Sequence, residues 1–332
     1  MSLSGQHVLV TGGAGFIGSH IVERLVHAGA RVRVFDDFST GYESNLAAVI
    51  DDIEIIRGTI LDADAIAAAT HGSDIVVHQA AQLEIMRAID DPVEDLRTNT
   101  EGTLRVFEAA KAADVGHVFY ASSAAVYGQA VELPQPESHP TLPNWPYGIS
   151  KLATEHYARL YCDYYDMAST GYRYSIVYGP REWYGRVLTI FLRRALDGQA
   201  PVVFGAGEQR RDYVYVEDVA DCVVRSIDAR LDGARVLNVS SGCSHTIRDV
   251  ATLVSELSGV GAPVTEEVAE GEYSELVGGR MRLPAELKAL EQDNTLARTL
   301  YDWAPSTDLR TGIRTELAWL ATHAERWVEL HY

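Results

Sequence analysis

The sequence predicts an α/β protein, a doubly wound parallel sheet joined to a smaller, mostly C-terminal α/β substrate domain. Three observations predict it. Short β-branched runs alternate with helix-length amphipathic stretches through the first half of the chain, as in a parallel sheet covered by helices on both faces. The first run opens into Gly12, Gly15 and Gly18, a GxxGxxG spacing between strand and helix. Beyond Gly179-Pro180 the alternation loosens, which marks a second architecture.

The elements follow in order. His7–Val10 is an apolar run that reads as a buried strand. Ile17–Ala28 is a helix, with Ile21, Leu25 and Ala28 on one side. Arg31–Phe35 alternates and ends in Asp36-Asp37, and Ile53–Ile56 is short and β-branched. Asp62–Ala69 is an alanine-rich helix, Ile75–His78 a buried strand, and Val93–Ala113 a long helix. Val118–Ala121 is a strand running into Ser122-Ser123. Leu133–Trp145 is a loop by its prolines, and Tyr147–Tyr165 is a tyrosine-rich helix. Tyr172–Val177 is a strand, followed by strands at Val202–Phe204 and Tyr213–Val216 and a helix from Val219 to about Asp228. Asp249–Ser258 and Arg310–Thr322 are helical. The expected division is a nucleotide domain of residues 1–174 plus about 213–242, and a substrate domain of 175–212 and 243–332.

The chain has 332 residues, 47% of them hydrophobic, enough for a real core. Its net charge is −19, from 28 basic and 47 acidic residues. Phosphates are repelled at long range, which excludes nonspecific nucleic-acid binding. An anionic ligand needs local arginines or a helix N-terminus. Three distant cysteines argue against a disulfide framework. No apolar run is long enough to span a bilayer and no signal peptide is evident, so a cytoplasmic protein is expected. The histidines show no metal-ligand spacing, so no metal is expected, and no GxSxG marks a hydrolase serine.

The glycine spacing allows a tight turn, close approach to a pyrophosphate and close helix–strand packing, as in a Rossmann-type fold. Asp36 ends the second strand, where a carboxylate accepts ribose hydroxyls and repels a 2′-phosphate, so NAD is expected over NADP. Tyr147 and Lys151 stand one helical turn apart on a shared face. A free phenol has a pKa of about 10, and a neighbouring ammonium lowers it toward a usable base. Ser123 follows a strand whose end faces the cofactor, where its hydroxyl can hold a substrate oxygen.

These motifs, in this order, resemble the extended short-chain dehydrogenase/reductase superfamily. More narrowly, they resemble its NAD-dependent sugar-nucleotide epimerase/dehydratase family, nearest to the UDP-glucose 4-epimerases. The resemblance rests on Thr11–Gly18, His78-Gln79-Ala80-Ala81, Asn99 before Gly102-Thr103, Ala121–Gly128, the Tyr147/Lys151 pair, Tyr178-Gly179-Pro180 and Arg210–Val219.

It implies a role for each matching position. Phe16 and Ile17 would offer amides to the pyrophosphate. Asp36 and Phe38 would line the adenosine ribose and Ile60 the adenine, with Asp37, Ser39 and Thr59 also on the cofactor, Thr59 standing where an adenine-contacting Asp is common. Gln79, Ala80, Ala81 and Asn99 would border the nicotinamide half. Ser123, Tyr147 and Lys151 would be the catalytic trio. Arg211 would clamp the substrate's diphosphate, with Gln82 and Arg186 also on the substrate and Arg280 or Arg282 in place of the family's substrate-loop arginine. Family members dimerise through the tyrosine-rich helix and the one near Val93–Ala113, so a homodimer is implied.

Several residues depart from the family pattern. Ala124-Ala125 stands where dehydratases carry an acidic pair, which disfavours 4,6-dehydration. Ile176 replaces a common substrate-contacting Asn, and the segment Gly271–Leu287 is long. Glu84, Arg87 and the loop Arg181–Arg186 are expected at the sugar pocket. The expected activity is 4-epimerisation of a UDP-hexose or UDP-hexuronate. The alternatives are another nucleotide-sugar enzyme (decarboxylase, dehydratase or reductase) and a non-catalytic NAD-binding protein.

Overall fold

The computed structural model describes residues 3–182, 185–282 and 285–326. β1 (His7–Thr11), α1 (Phe16–His27), β2 (Arg31–Asp36), β3 (Ile53–Arg57), α2 (Ala63–Thr70) and β4 (Ile75–His78) open the chain. α3 (Ile85–Asp90), α4 (Pro92–Leu96), α5 (Gly102–Ala112), β5 (His117–Ser123), α6 (Pro146–Tyr165) and β6 (Ala168–Tyr174) follow. Next come β7 (Ile176–Tyr178), α7 (Val187–Leu196), β8 (Val202–Phe204), β9 (Arg210–Tyr215), α8 (Val216–Ala229) and β10 (Ala234–Val239). β11 (Ser244–Thr246), α9 (Ile247–Ser258), β12 (Val264–Glu266), α10 (Thr295–Tyr301) and α11 (Leu309–Thr322) complete the described elements.

Seven strands form one parallel sheet in the order β10-β6-β5-β4-β1-β2-β3. Ile75–Val77 are wholly buried, as β-branched residues are in a sheet covered on both faces. On one face α1 packs on α8, with Ile21, Leu25, Val219 and Val223 in the seam. On the other, α2, α5 and α6 cover Leu9, Phe35 and Tyr120. Each such side chain stabilises the fold by about 1.5–3 kcal/mol. The strand order reverses between β1 and β4, and ligands of such sheets bind at that crevice, beyond the carboxyl ends of the strands.

A second, three-stranded sheet, β11-β9-β7, packs with α7, α9 and α11 around Phe191, Leu192, Val250, Val254 and Ile313. β12 and β8 pair separately.

Three expected elements differ from the structure. Val93–Ala113 is not one α-helix: a π turn, Arg97–Glu101, separates α4 from α5. The wider turn exposes the Asn99 carbonyl to the hydroxyls of Thr103 (2.7 Å) and Thr154 (3.3 Å). Tyr172–Val177 is two strands in two sheets, broken at Ser175. The Ser175 amide donates to Val239 O (3.1 Å) and its hydroxyl to Asp212 O (2.6 Å), so this residue serves both sheets. The strand expected at Tyr213–Val216 starts earlier, at Arg210, because Arg210–Asp212 pair with β11. Val216 already belongs to α8.

Candidate active site

One long pocket runs across the carboxyl ends of β1, β2, β4, β5 and β6. Its wall includes the whole sequence-expected set except Phe38, Asn99 and the alternatives Arg280 and Arg282. Gly12, Gly15, Phe16, Ile17 and Gly18 form one end with Asp36, Asp37, Ser39, Thr59 and Ile60. Gln79, Ala80, Ala81, Gln82, Ser123, Tyr147 and Lys151 form the middle, and Arg186 and Arg211 the far end.

The glycines serve different ends. Gly12 has φ +68°, and a Cβ there would lie 2.5 Å from Ala80 N. A Cβ on Gly18 would lie 2.1 Å from Gly12 O. Both are packing requirements. Gly15 is different: a Cβ would meet one atom within 4 Å, Gly12 O at 3.2 Å, and otherwise project into open space. Gly15 caps α1, no side chain caps that terminus, and its first turn holds no acidic residue. The terminus is therefore left to an anion. Asp36 lies beside it, accepting from Ala14 N (2.9 Å) and Phe38 N (2.8 Å). Burial raises its pKa, and these two amides oppose that. Nε2 of Gln79 is buried without a partner in the pocket wall. An open cradle at a bare helix N-terminus, a carboxylate at ribose height and an orphaned amide together fit a dinucleotide. Arg33 turns away, bonded to Glu54 (2.7 Å), Ala69 O and His71 O.

The phenol and ammonium meet as their spacing implies. Lys151 Nζ lies 5.8 Å from the Tyr147 ring centre and donates to Ala121 O at 3.0 Å. Burial pulls the Lys151 pKa down to about 8, and Asp95 opposes that pull. The two serines separate cleanly. Both line the pocket wall, but the Ser122 hydroxyl donates to Glu155 Oε1 (2.5 Å), whereas Ser123 Oγ accepts from Ala125 N (3.1 Å). His78 sits between Thr11 and Thr103 hydroxyls (2.6 and 2.9 Å), and burial pushes its pKa down to about 3. Among the described residues one cluster has metal-ligand proximity, His20, Glu23 and Glu217. Arg24 and Arg181 already pair with its carboxylates.

Four expected residues lie outside the wall. Phe38 has φ +60° and carries the Arg57 guanidinium 3.9 Å over its ring. The Asn99 side chain bonds Gln82 N, Gln82 O and Asp95. Arg280 Nη1 donates to Gly185 O (2.5 Å). At the far end Arg211 is held by Glu286 (3.2 Å) and Leu287 O (2.8 Å), and Arg186 by Glu182 (2.6 Å) and Val177 O. Glu84 and Arg87 line the wall as expected, Arg87 paired with Glu94. Sequence reasoning missed Glu286 and Asp95. Neither belongs to a recognisable short motif, and both act through contacts distant in sequence.

Fold and pocket define a class: a Rossmann-type dinucleotide-binding protein of the extended short-chain dehydrogenase/reductase kind. The sequence profile of the NAD dependent epimerase/dehydratase family matches residues 8–240, and the chain belongs to that family. NAD is its cofactor. The chain is 36% identical over 315 residues to a UDP-glucose 4-epimerase of Mycolicibacterium smegmatis, covering 93% of this chain and 96% of that one. A dTDP-glucose 4,6-dehydratase of Mycobacterium tuberculosis is 30% identical, with 97% and 95% covered. The crystal structure of the UDP-glucose 4-epimerase of Thermus thermophilus in complex with NAD is 33% identical, with TM-score 0.85, covering 96% of this chain and all of that one.

Proposed function

We propose that the chain is an NAD-dependent 4-epimerase of a UDP-hexose or UDP-hexuronate. One observation carries this reading: Ser123, Tyr147 and Lys151 share one pocket wall, and the next two positions after the serine are Ala124 and Ala125. A phenol, an ammonium and a hydroxyl suffice to move a proton on and off a sugar oxygen. Elimination of water needs a further acid and base, and the alanines supply none.

In this reading the amides of Phe16 and Ile17 hold the pyrophosphate and Asp36 the adenosine ribose. Bound NAD supplies a reversible acceptor for the hydride of the sugar carbon. Tyr147 takes the proton of the C4 hydroxyl and returns it to the ketone oxygen of the turned sugar. Lys151 favours the phenolate by its charge. Ser123 holds the reacting oxygen. Arg211 clamps the diphosphate, so that the sugar turns about a fixed anchor. Arg186 and Arg211 supply guanidinium donors for a nucleotide that the −19 net charge repels at distance, each donor set already oriented by a carboxylate, Glu182 and Glu286.

The two-part organisation belongs to the same proposal, with the return to the nucleotide part placed at Val216, where α8 begins. So does a homodimer through α4 and α6, where Val93, Leu96 and Ile149 are exposed. No helix among the described residues is long and apolar enough to cross a membrane, and we assign the protein to the cytoplasm.

The test is incubation of the purified protein with UDP-, dTDP-, GDP- and CDP-sugars without added cofactor, with products read by NMR and mass. C4 inversion at unchanged mass supports the proposal. Loss of water or carbon dioxide moves the protein to the dehydratase or decarboxylase branch. No turnover of any sugar by NAD-bearing protein overturns it.

A further inference from the structure

Asp95 takes no part in the chemistry above, yet it is 1% exposed and bonded to the residue that precedes the lysine. Its Oδ2 accepts the hydroxyl of Ser150, the residue before Lys151, at 2.7 Å. Its Oδ1 accepts Asn99 Nδ2 (2.8 Å) and Gln82 Nε2 (3.3 Å). Asn99 in turn accepts from Gln82 N and donates to Gln82 O, both at 2.9 Å. The Gln82 stretch of the pocket wall therefore hangs from Asp95, directly and through Asn99.

Lys151 is nearly as buried, and its one hydrogen bond in view goes to a neutral carbonyl. A buried ammonium needs an anion to persist. Tyr147 faces it from its own helix and His78 from β4, the latter kept neutral by burial. Glu155, one turn further along α6, is committed to Arg173 (2.7 Å) and to Ser122. That leaves Asp95. The two charges act on each other: Asp95 raises the Lys151 pKa, and Lys151 lowers that of Asp95 against its burial.

We propose that Asp95 is a positioning residue whose buried carboxylate holds Lys151 as an ammonium and suspends the Gln82 wall of the pocket. It acts through Lys151 and does not touch the substrate. The catalytic consequence rests on the role given to Lys151 above.

The chain makes a clean test possible, because Lys111, Lys151 and Lys288 are its three lysines. Protein carrying ¹³Cε-labelled lysine, otherwise as purified, is titrated by NMR, with Lys151 identified as the signal lost in Lys151→Met. Asp95→Asn is expected to lower the Lys151 titration by about one pH unit, the low end for loss of a nearby opposite charge. Lys111 and Lys288 stay in place. Ser150→Ala keeps the charge and removes one hydrogen bond, so Lys151 titrates there as in the parent. The alkaline limb of the turnover–pH profile is expected to move down with the lysine in Asp95→Asn, which a merely structural role would not do. Asp95→Ser gives the same reading if the amide variant fails to fold. An unmoved Lys151 titration in a folded charge-deleted variant overturns the proposal. A shifted titration in a protein that turns over no sugar keeps the Asp95–Lys151 link and defeats only the proposed activity.

Discussion

Replacing Gly15 with alanine separates the cofactor cradle from the fold. Its backbone (φ −75°, ψ −174°) is one alanine adopts freely. The new methyl meets Gly12 O at 3.2 Å, a tight but single contact. Loss of glycine's freedom in the unfolded chain contributes about 0.4–1 kcal/mol of stability and offsets that contact. Net stability therefore stays within about 1 kcal/mol of the parent. In the proposed binding mode the pyrophosphate takes the amides of Phe16 and Ile17, the two residues that follow the new methyl, and the methyl blocks its approach. Losing one hydrogen bond to a charged group costs about 1.5–3 kcal/mol, or about 10- to 100-fold in Kd for NAD. Gly18→Ala is the contrast. Its methyl would lie 2.1 Å from Gly12 O and 2.9 Å from Gly12 C, both backbone atoms. It is expected to lose at least the about 1–3 kcal/mol of an overpacked core. Urea unfolding of nucleotide-stripped protein gives the stabilities, and calorimetric titration with NAD gives the affinities. A folded Gly15→Ala variant that binds NAD within about twofold of the parent would refute the reasoning.

Three further outcomes are expected. Tyr147→Phe keeps NAD binding and loses turnover by about 100-fold or more, read on the sugar found by the product screen. Lys151 keeps its proton to about 10.5 in the unfolded chain but only to about 8 when folded. Its charge therefore opposes folding below pH 8, and that opposition fades as the pH rises from 8 to 10.5. The stability difference between the parent and Lys151→Met should shift toward the parent by up to about 3 kcal/mol across that window, measured by urea unfolding at stepped pH. Glu155→Ala leaves the buried Arg173 without its carboxylate partner. It should destabilise by about 3–5 kcal/mol in the same assay, and a change below about 1 kcal/mol would show that Tyr127 and the Glu137 carbonyl carry Arg173 unaided.

What the sequence reveals and what it hides divide along the range of the interactions involved. Tyr147 and Lys151 are legible because one helical turn fixes their relation. Gly12, Gly15, Gly18 and Asp36 are legible because strand, turn and helix follow within one unit. The choice of Ser123 over Ser122 comes from resemblance alone, and the partner of the Ser122 hydroxyl, Glu155, lies too far along the chain to be read from sequence. Asn99 is named by the resemblance, but the π turn that carries it leaves no mark in apolar periodicity. The break at Ser175 is hidden for a similar reason. A run of β-branched and aromatic residues looks continuous whether it pairs in one sheet or two. Analogy places Phe38 at the ribose, but the arginine that stacks on it comes from β3, beyond any local motif.

Mechanically, Ser175 is a single-residue weld between two sheets, bonded to β10 by its amide and to the strand of Asp212 by its hydroxyl. The residue before it, Tyr174, bonds Gln79 in the cofactor stretch of the pocket (3.2 Å), and the residue after it, Ile176, lines the same pocket. A push on the smaller sheet therefore has a lever arm of one residue to the cofactor side. Grafts that exchange the elements beyond β7 should be cut after this weld, at Gly179-Pro180, so that the joint stays whole.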